Sequence, residues 1–239
     1  MNEEEKLLVK EAAKTVEFFD STDKIQTEAS KVAELIRNSQ HCVCFTGAGI
    51  STSAGIGDYR GKSGKWTQQD QEKITNSDLR PTYTHEALHK LIDMGLIKYI
   101  ISQNGDGLHI LSQVPPDKIS ELHGNVFIEK CELCGQRYER SSEIKKPAHA
   151  KQCHLCGLSH RTSRRCTEKG CKGYLIDTII NFKDNLEDEI YKKAEDHASK
   201  SDVMLCLGTT LLVSPANELV EMTREPQTIV ICNRLASLF

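Results

Sequence analysis

The sequence predicts an α/β fold: a Rossmann-like open parallel sheet with helices on both faces, carrying a small inserted zinc-binding module. Three observations predict it. Short, wholly apolar runs alternate with amphipathic helical segments, the pattern of strands buried between two layers of helix. A glycine-rich turn, Gly47-Ala48-Gly49-Ile50-Ser51, follows the first of those runs directly. Six of the ten cysteines fall in pairs within and just before a strongly basic stretch.

Taken in order, residues 1–25 are charged and lack sustained periodicity, and they read as an N-terminal extension. A helix follows, with Val32, Leu35 and Ile36 at i, i+3, i+4 spacing. His41–Thr46 is an apolar run ahead of Gly47, a buried parallel strand. Thr84–Met94 is helical, with Ala87, Leu88, Leu91 and Ile92 on one face and Gly95 as its stop. Lys98–Gln103, Asp202–Gly208 and Thr228–Cys232 are further strands. Between the last two, Ser214-Pro215 is expected to open a helix, with Ser as N-cap and Pro at the first helical position. The division that results is a discontinuous large domain, 26–128 and 174–239, interrupted by a module at 129–173.

Composition bounds the function classes. A chain of 239 residues, 38% hydrophobic and 27% charged with net charge −3, suits one domain with a smaller insert. The start, Met1-Asn2-Glu3-Glu4-Glu5-Lys6, has no basic region followed by an apolar core, so it does not read as a secretory signal. No apolar run approaches the roughly 20 residues of a membrane helix. The cysteines are therefore expected in a reducing compartment, as thiols or metal ligands rather than disulfides. Charge is uneven: 135–173 holds ten Lys and Arg against three Glu, a local net of +7. That stretch is expected either to face phosphates of nucleic acid or an acidic patch on chromatin, or to be a solvated charged surface.

The Gly47-x-Gly49 turn after a strand suits a pyrophosphate resting on amides at a helix N-terminus. The dinucleotide fingerprint is incomplete, because Thr52 occupies its third glycine position and no ribose-binding acid is placeable about 20 residues on. A nucleotide is suggested without hydride-transfer geometry. Three more polar stretches fall at strand ends: Gly57-Asp58-Tyr59-Arg60-Gly61, Gln103-Asn104-Gly105-Asp106-Gly107-Leu108-His109, and Glu121-Leu122-His123-Gly124-Asn125. Each contains ordinary turn dipeptides or a histidine with a structural reading. Their clustering on consecutive strand ends favours chemistry, with His123 the natural general base.

Spacing also speaks to the metal. The cysteines fall as Cys131-x2-Cys134, Cys153-x2-Cys156 and Cys166-x4-Cys171. Two CxxC pairs 18 residues apart match a zinc ribbon, so spacing alone selects Cys131, Cys134, Cys153 and Cys156. Cys42, Cys44, Cys206 and Cys232 read as buried strand thiols.

The ordered set GAGIS (47–51), GDYRG (57–61), QNGDGLH (103–109), ELHGN (121–125) and GTTLLVSP (208–215) resembles the sirtuins, NAD-dependent protein deacylases. ELHGNVF, Trp66 after GDYRGKSGK, and RRC…C…LIDTI are most similar to the class IV branch, which includes nuclear, chromatin-associated members. The resemblance implies an NAD site formed by Gly47, Ala48, Gly49, Ser51, Thr52, Asp58, Tyr59, Arg60 and Trp66, with Gln103 on the ribose side. Asn104 and Asp106 would hold nicotinamide and its ribose, His123 would take a proton from a ribose hydroxyl, and Gly208, Thr209, Thr210 and Asn233 would contact the adenosine half. The implied reaction moves the acyl group of an acyl-lysine protein, such as a histone, to ADP-ribose and releases nicotinamide. Mono-ADP-ribosyl transfer at the same site is the alternative enzyme. For zinc, the resemblance selects Cys131, Cys134, Cys166 and Cys171 as a structural four-thiolate site. That leaves Cys153 and Cys156, near His149, His154 and His160, as an inserted loop or a second weak site.

The sequence departs from the family pattern at Gly57, usually Pro, at Tyr59, usually Phe, and at Thr210, usually Ser. After Asn233 only six residues follow, where the family usually continues through another strand and helix. The expectation drawn from this is a missing edge strand, with a catalytically weak, zinc-containing chromatin-binding protein as the third reading. A nuclear location is expected, with the cytoplasm as the alternative.

Overall fold

The computed structural model describes residues 16–59, 79–181, 184–224 and 228–234. The expected extension up to residue 15, together with Arg60 and Trp66, lies outside the described residues.

The large sheet is parallel, in the order β3-β2-β1-β8-β9, built from β1 (Cys42–Thr46), β2 (Tyr99–Ser102), β3 (Ile119–Glu121), β8 (Val203–Leu207) and β9 (Ile229–Cys232). Register brings Val43 beside Tyr99 on one side and Met204 on the other. Alternate side chains then face opposite layers. Val43, Phe45, Ile101, Met204 and Cys206 pack on Ala194 and Ala198 of helix Asp188–Ala198 and on Leu219 and Val220 of helix Glu218–Glu221. Cys42, Cys44, Ile100 and Leu205 pack on Ile36 of helix Thr22–Asn38 and on Leu88 and Ile92 of helix Tyr83–Asp93. Burial on both faces is why these strands read as unbroken apolar runs.

Local signals set the boundaries. Ser21 caps the first helix by accepting from the Lys24 amide at 3.4 Å, so the helix begins four residues inside the segment read as an N-terminal extension. Gly95, in the left-handed region at φ +69°, stops the second helix as expected. Asp202 ties the first helix to β1: its carboxylate accepts from Ser39 Oγ, from the Gln40 amide at 2.7 Å and from the His41 amide at 3.0 Å.

A second, antiparallel sheet has the order β5-β4-β7-β6, from β4 (Ile128–Cys131), β5 (Arg137–Glu139), β6 (Arg161–Arg165) and β7 (Tyr174–Asp177). Two details differ from expectation. The strand beginning at Tyr174 pairs within this small sheet, Cys131 opposite Leu175, before the chain returns to the large one. Ser214 does not cap a helix at Pro215. The peptide between them is cis, the chain turns through 214–217, and Ser214 Oγ bonds the Glu218 side chain, so the helix starts at Glu218.

Candidate active site and metal cluster

The sheet order places a switch point between β1 and β8, where connections depart in opposite directions and a crevice opens at the carboxyl ends. The two loops leaving these strands touch. The Gly47 amide donates to Leu207 O at 3.0 Å and the Gly49 amide to Gly208 O at 2.8 Å. A Cβ on Gly49 would sit 2.8 Å from Gly208 Cα, and Gly208 itself has φ +62°. The glycines are required by the crossing of two loops, a cause that the Gly-x-Gly pattern did not disclose. Residues 48–54 continue as a 3-10 helix, with Ile50 and Ser51 buried.

Polar side chains converge on this turn from the β2 end. Asn104, 6% exposed, donates from Nδ2 to Gly47 O at 3.1 Å, and Ser51 Oγ donates to Asp106 Oδ2 at 2.7 Å. Asp106 Oδ1 accepts from the Leu108 amide at 3.0 Å. Gln103 Nε2 donates to Thr209 Oγ1 at 2.9 Å, which joins β2 to β8. A buried chain that the sequence reading missed lies beneath. His109 Nε2 donates to Thr46 Oγ1 at 3.0 Å, and Thr46 Oγ1 donates to Ser102 Oγ at 2.9 Å. Ser102 Oγ also accepts the Asn104 amide at 3.1 Å. Burial pushes His109 down to about 3, so the chain is neutral. The signal available was a Thr, a Ser and a His each lying in or beside an otherwise apolar run.

His123 follows β3. Its Nδ1 lies 2.8 Å from Gln103 O. A carbonyl can only accept, so Nδ1 carries the proton and Nε2 holds the lone pair. Burial lowers the pKa of the ring, which keeps it neutral at pH 7. The backbone around it is clamped: the Ile180 amide donates to His123 O at 3.0 Å, and the Asn125 amide donates to Thr178 Oγ1 at 3.1 Å. Gly124, at φ +75°, has Thr178 O where a Cβ would be, at 1.8 Å. The outgoing and returning connections to the small sheet are thus locked beside His123. Ala48, Asp58, Gln103, Asp106, His123, Gly208, Thr210 and Asn233 are all half-buried. Tyr59 and Thr52 are exposed.

A profile of the Sir2 family matches residues 71–215. The chain belongs to the Sir2 family. It is 43% identical over 206 residues to the NAD-dependent protein deacetylase SRT1 of Arabidopsis thaliana, covering 84% of this chain and 41% of that one. To the NAD-dependent protein deacetylase Sirt6 of Drosophila melanogaster it is 36% identical, with 91% of this chain and 69% of that one covered. To the NAD-dependent protein deacetylase sirtuin-7 of Homo sapiens it is 36% identical, with 82% and 49% covered. The chain thus spans about 41–69% of the length of these curated relatives. Among solved structures, a Sir2 with p53 peptide and NAD+ superposes with TM-score 0.63 at 28% identity, covering 87% of this chain and 88% of that one. A Sir2 bound to acetylated peptide gives TM-score 0.63 at 27% identity, with 88% of each covered.

In this sirtuin the small sheet ends in a cluster of four thiols. Cys131, Cys134, Cys166 and Cys171 place their sulfurs within 4.8 Å of one another. The Cys131–Cys171 and Cys134–Cys166 separations are both 3.6 Å. A Zn–S tetrahedron has edges of about 3.8 Å, so the donor set fits one structural zinc with no open position. The topology explains why Cys166 and Cys171, rather than the CxxC at 153–156, join the first pair. They lie in the turn between β6 and β7, and β7 is paired to the very end of β4 where Cys131 sits.

Five of the ten cations of the basic stretch are paired with carboxylates in or beside the module. Glu129, fully buried, accepts from Arg140 at 2.6 Å, from Arg164 at 3.0 Å and from Thr162 Oγ1. Desolvation alone would raise its pKa, but these three donors hold the carboxyl below the usual range. Glu132 takes Arg161 bidentately at 2.9 and 2.7 Å. Arg137 pairs with Glu187 at 2.6 Å and Lys146 with Asp177 at 3.3 Å. These carboxylates flank the stretch, so the +7 read from 135–173 overstates what a polyanion would meet. Cys42, Cys44 and Cys206 are buried as expected, whereas Cys232 on the outer strand β9 is exposed. Among the described residues, no helix is long and apolar enough to cross a membrane.

Proposed function

We propose that the protein is an NAD-dependent protein-lysine deacylase that transfers the acyl group to ADP-ribose with release of nicotinamide. The carrying observation is His123. Its proton is held at Nδ1 by Gln103 O, and it therefore offers an unprotonated Nε2 at the carboxyl edge of the sheet that also carries the Gly47–Ser51 turn. The residues fit the co-substrate: a glycine turn without side chains at the switch point, a carboxamide and a carboxylate held on that turn, and a neutral base across from it. NAD supplies the electrophilic ribose carbon and the hydroxyl that accepts the acyl group.

The chain's own residues do the rest. Asn104 and Ser51 hold the turn against β2. Asp106, fixed at both oxygens, presents a rigid polar wall for the nicotinamide end. Gln103 both orients His123 and bridges to Thr209 on the adenosine side. His123 Nε2 accepts a proton from a ribose hydroxyl, and the neutral ring is restored on release to solvent. The similarity to the protein deacetylases SRT1, Sirt6 and sirtuin-7 supports acyl-lysine proteins as substrates, and the class IV resemblance of ELHGNVF and RRC…C…LIDTI points to nuclear ones, histones among them, and to a nuclear location. The pairing of half of the basic side chains with carboxylates weakens the case for a nucleic-acid face and favours peptide recognition.

The decisive experiment incubates the protein with NAD and an acetylated histone peptide and follows peptide mass and nicotinamide together. Equimolar loss of acetyl and release of nicotinamide is the expected result. Nicotinamide release with protein modification but intact peptide would assign ADP-ribosyl transfer instead, and no release would end both readings. His123→Ala should lower turnover by about 10²–10⁴-fold with the fold retained. Because burial lowers the pKa of His123, the acid limb of kcat/KM should lie below about pH 6.5.

A further inference from the structure

A second metal-binding geometry lies outside the four-thiol cluster. Cys153, Cys156 and His160 bring two sulfurs and one ring nitrogen within 4.8 Å of one another, with Cys156 Sγ 3.1 Å from His160 Nε2. The segment is built as a copy of the first cysteine turn. Cys131-Glu-Leu-Cys134-Gly135 and Cys153-His-Leu-Cys156-Gly157 share their Leu, Cys and Gly positions. In each, the leucine amide points at the first sulfur, Leu133 N to Cys131 Sγ and Leu155 N to Cys153 Sγ, both at 3.4 Å. In each, the closing glycine lies in the left-handed region, φ +75° and +73°, and donates to the carbonyl of the first cysteine at 3.1 and 3.0 Å. Amides aimed at sulfur stabilise thiolate, which is the ligand form.

Among the described residues, no apolar cluster explains why the second turn is ordered. Cys153 is 3% exposed, yet Leu155 is 73% and Leu158 39% exposed, and the thiol belongs to neither hydrophobic cluster of the large domain. The hairpin has one isolated bridge, Gln152 to Ser159, and a Cys153 amide bond to Leu158 O at 2.8 Å. A two-stranded hairpin of that size is marginal without a further tie. It is also anchored at His160 O, which accepts the Asp177 amide at 3.0 Å, and at Glu132 of the first turn, which accepts the His154 amide at 3.4 Å and so sets the two turns back to back.

We propose that Cys153, Cys156 and His160 bind a second zinc ion, structural for the hairpin 152–160, with the fourth coordination position taken by water. A tetrahedral S–Zn–N edge spans about 3.6 Å, so the Cys156–His160 contact need open by only about half an ångström to admit the metal. Three ligands instead of four make this the weaker site and the first to empty under a chelator.

Zinc per chain, measured by native mass spectrometry on the full reduced protein equilibrated with excess zinc, tests the assignment. Two ions per chain are expected for the wild type and one for Cys156→Ser with His160→Gln, both substitutions being at side chains that are not fully buried. One ion in the wild type, or two in the double variant, would overturn the proposal. Cobalt loading gives a reading independent of any variant. Two equivalents should bind, with a sulfur–nitrogen ligand field distinct from the four-sulfur one, and saturation at one equivalent with a pure four-sulfur spectrum would also overturn it.

Discussion

The two sheets of this sirtuin hold together by opposite means. The parallel sheet seals Phe45, Ile100, Ile101 and Met204 away from water entirely. The antiparallel sheet encloses Glu129, Glu132, Arg161 and Thr162 alongside Cys131, Cys153 and Leu175. One core draws on area removed from water at about 25 cal/mol per Å². The other has too little apolar sequence for that and depends on metal–thiolate bonds and on charges that must all be paired. The difference shows how a module can be inserted into an α/β domain without sharing its core: the connections around Gly124 and Thr178 are interlocked, and Lys130 and Arg137 reach Glu187 at the start of helix Asp188–Ala198.

The largest break in this contrast should come from Cys166→Ser or zinc removal. Structural zinc in small modules is worth about 10–16 kcal/mol of apparent binding energy, which here is folding energy of the module. Hydrogen exchange should show β4–β7 losing protection while β1, β2 and β8 keep theirs. Equal loss in both sheets would show that the two regions fold as one. His123 stands at the joint, so the zinc-free protein should also lose the deacylase turnover proposed above.

Next in size are paired core substitutions. Phe45→Ala should destabilise the large domain by about 3–5 kcal/mol through cavity formation. Glu132→Ala should cost the module a similar amount, about 3–5 kcal/mol, because Arg161, its side chain 8% exposed, is left as an unpaired buried charge. The two are told apart by Glu132→Gln. It keeps the shape but removes the charge, and denaturant melts should show it still strongly destabilised. Near-wild-type stability would mean that packing, not charge, supports the module.

A smaller effect sharpens the description of the large domain. His109 titrates at about 3 when folded and near 6.5 when unfolded. The unfolded chain therefore binds the extra proton first, and stability falls as pH drops from about 6.5 toward 3, by about 1.4 kcal/mol per pH unit at most. His109→Gln should flatten that slope in chemical denaturation of the large domain. An unchanged slope would assign the acid sensitivity elsewhere.

Much of the large domain was legible because its signals are local. Cys42–Phe45, Tyr99–Ile101 and Val203–Leu207 are apolar throughout, a consequence of burial on both faces, and Gly95 marks a helix end by its own backbone. Ser214-Pro215 carried an equally local signal, and it misled, because the serine found a side-chain partner in Glu218 instead of a helix amide. Within the candidate site, the residues in motifs could be named, His109 among them, but its link to Thr46 and Ser102 could not. Their connection joins three separate elements, and no spacing encodes it.

By itself, the sequence determined the alternation of strand and helix, the placement of polar residues at strand ends and the existence of a cysteine-supported insert, since each follows from neighbours a few residues apart. Tertiary structure alone decided which thiols meet, which carboxylates absorb the basic stretch, why Gly49 and Gly208 must lack side chains, and which nitrogen of His123 is free. Each of these depends on a contact between segments distant in the chain. Such contacts exist only once β7 pairs with β4 and the β8 loop crosses the β1 loop.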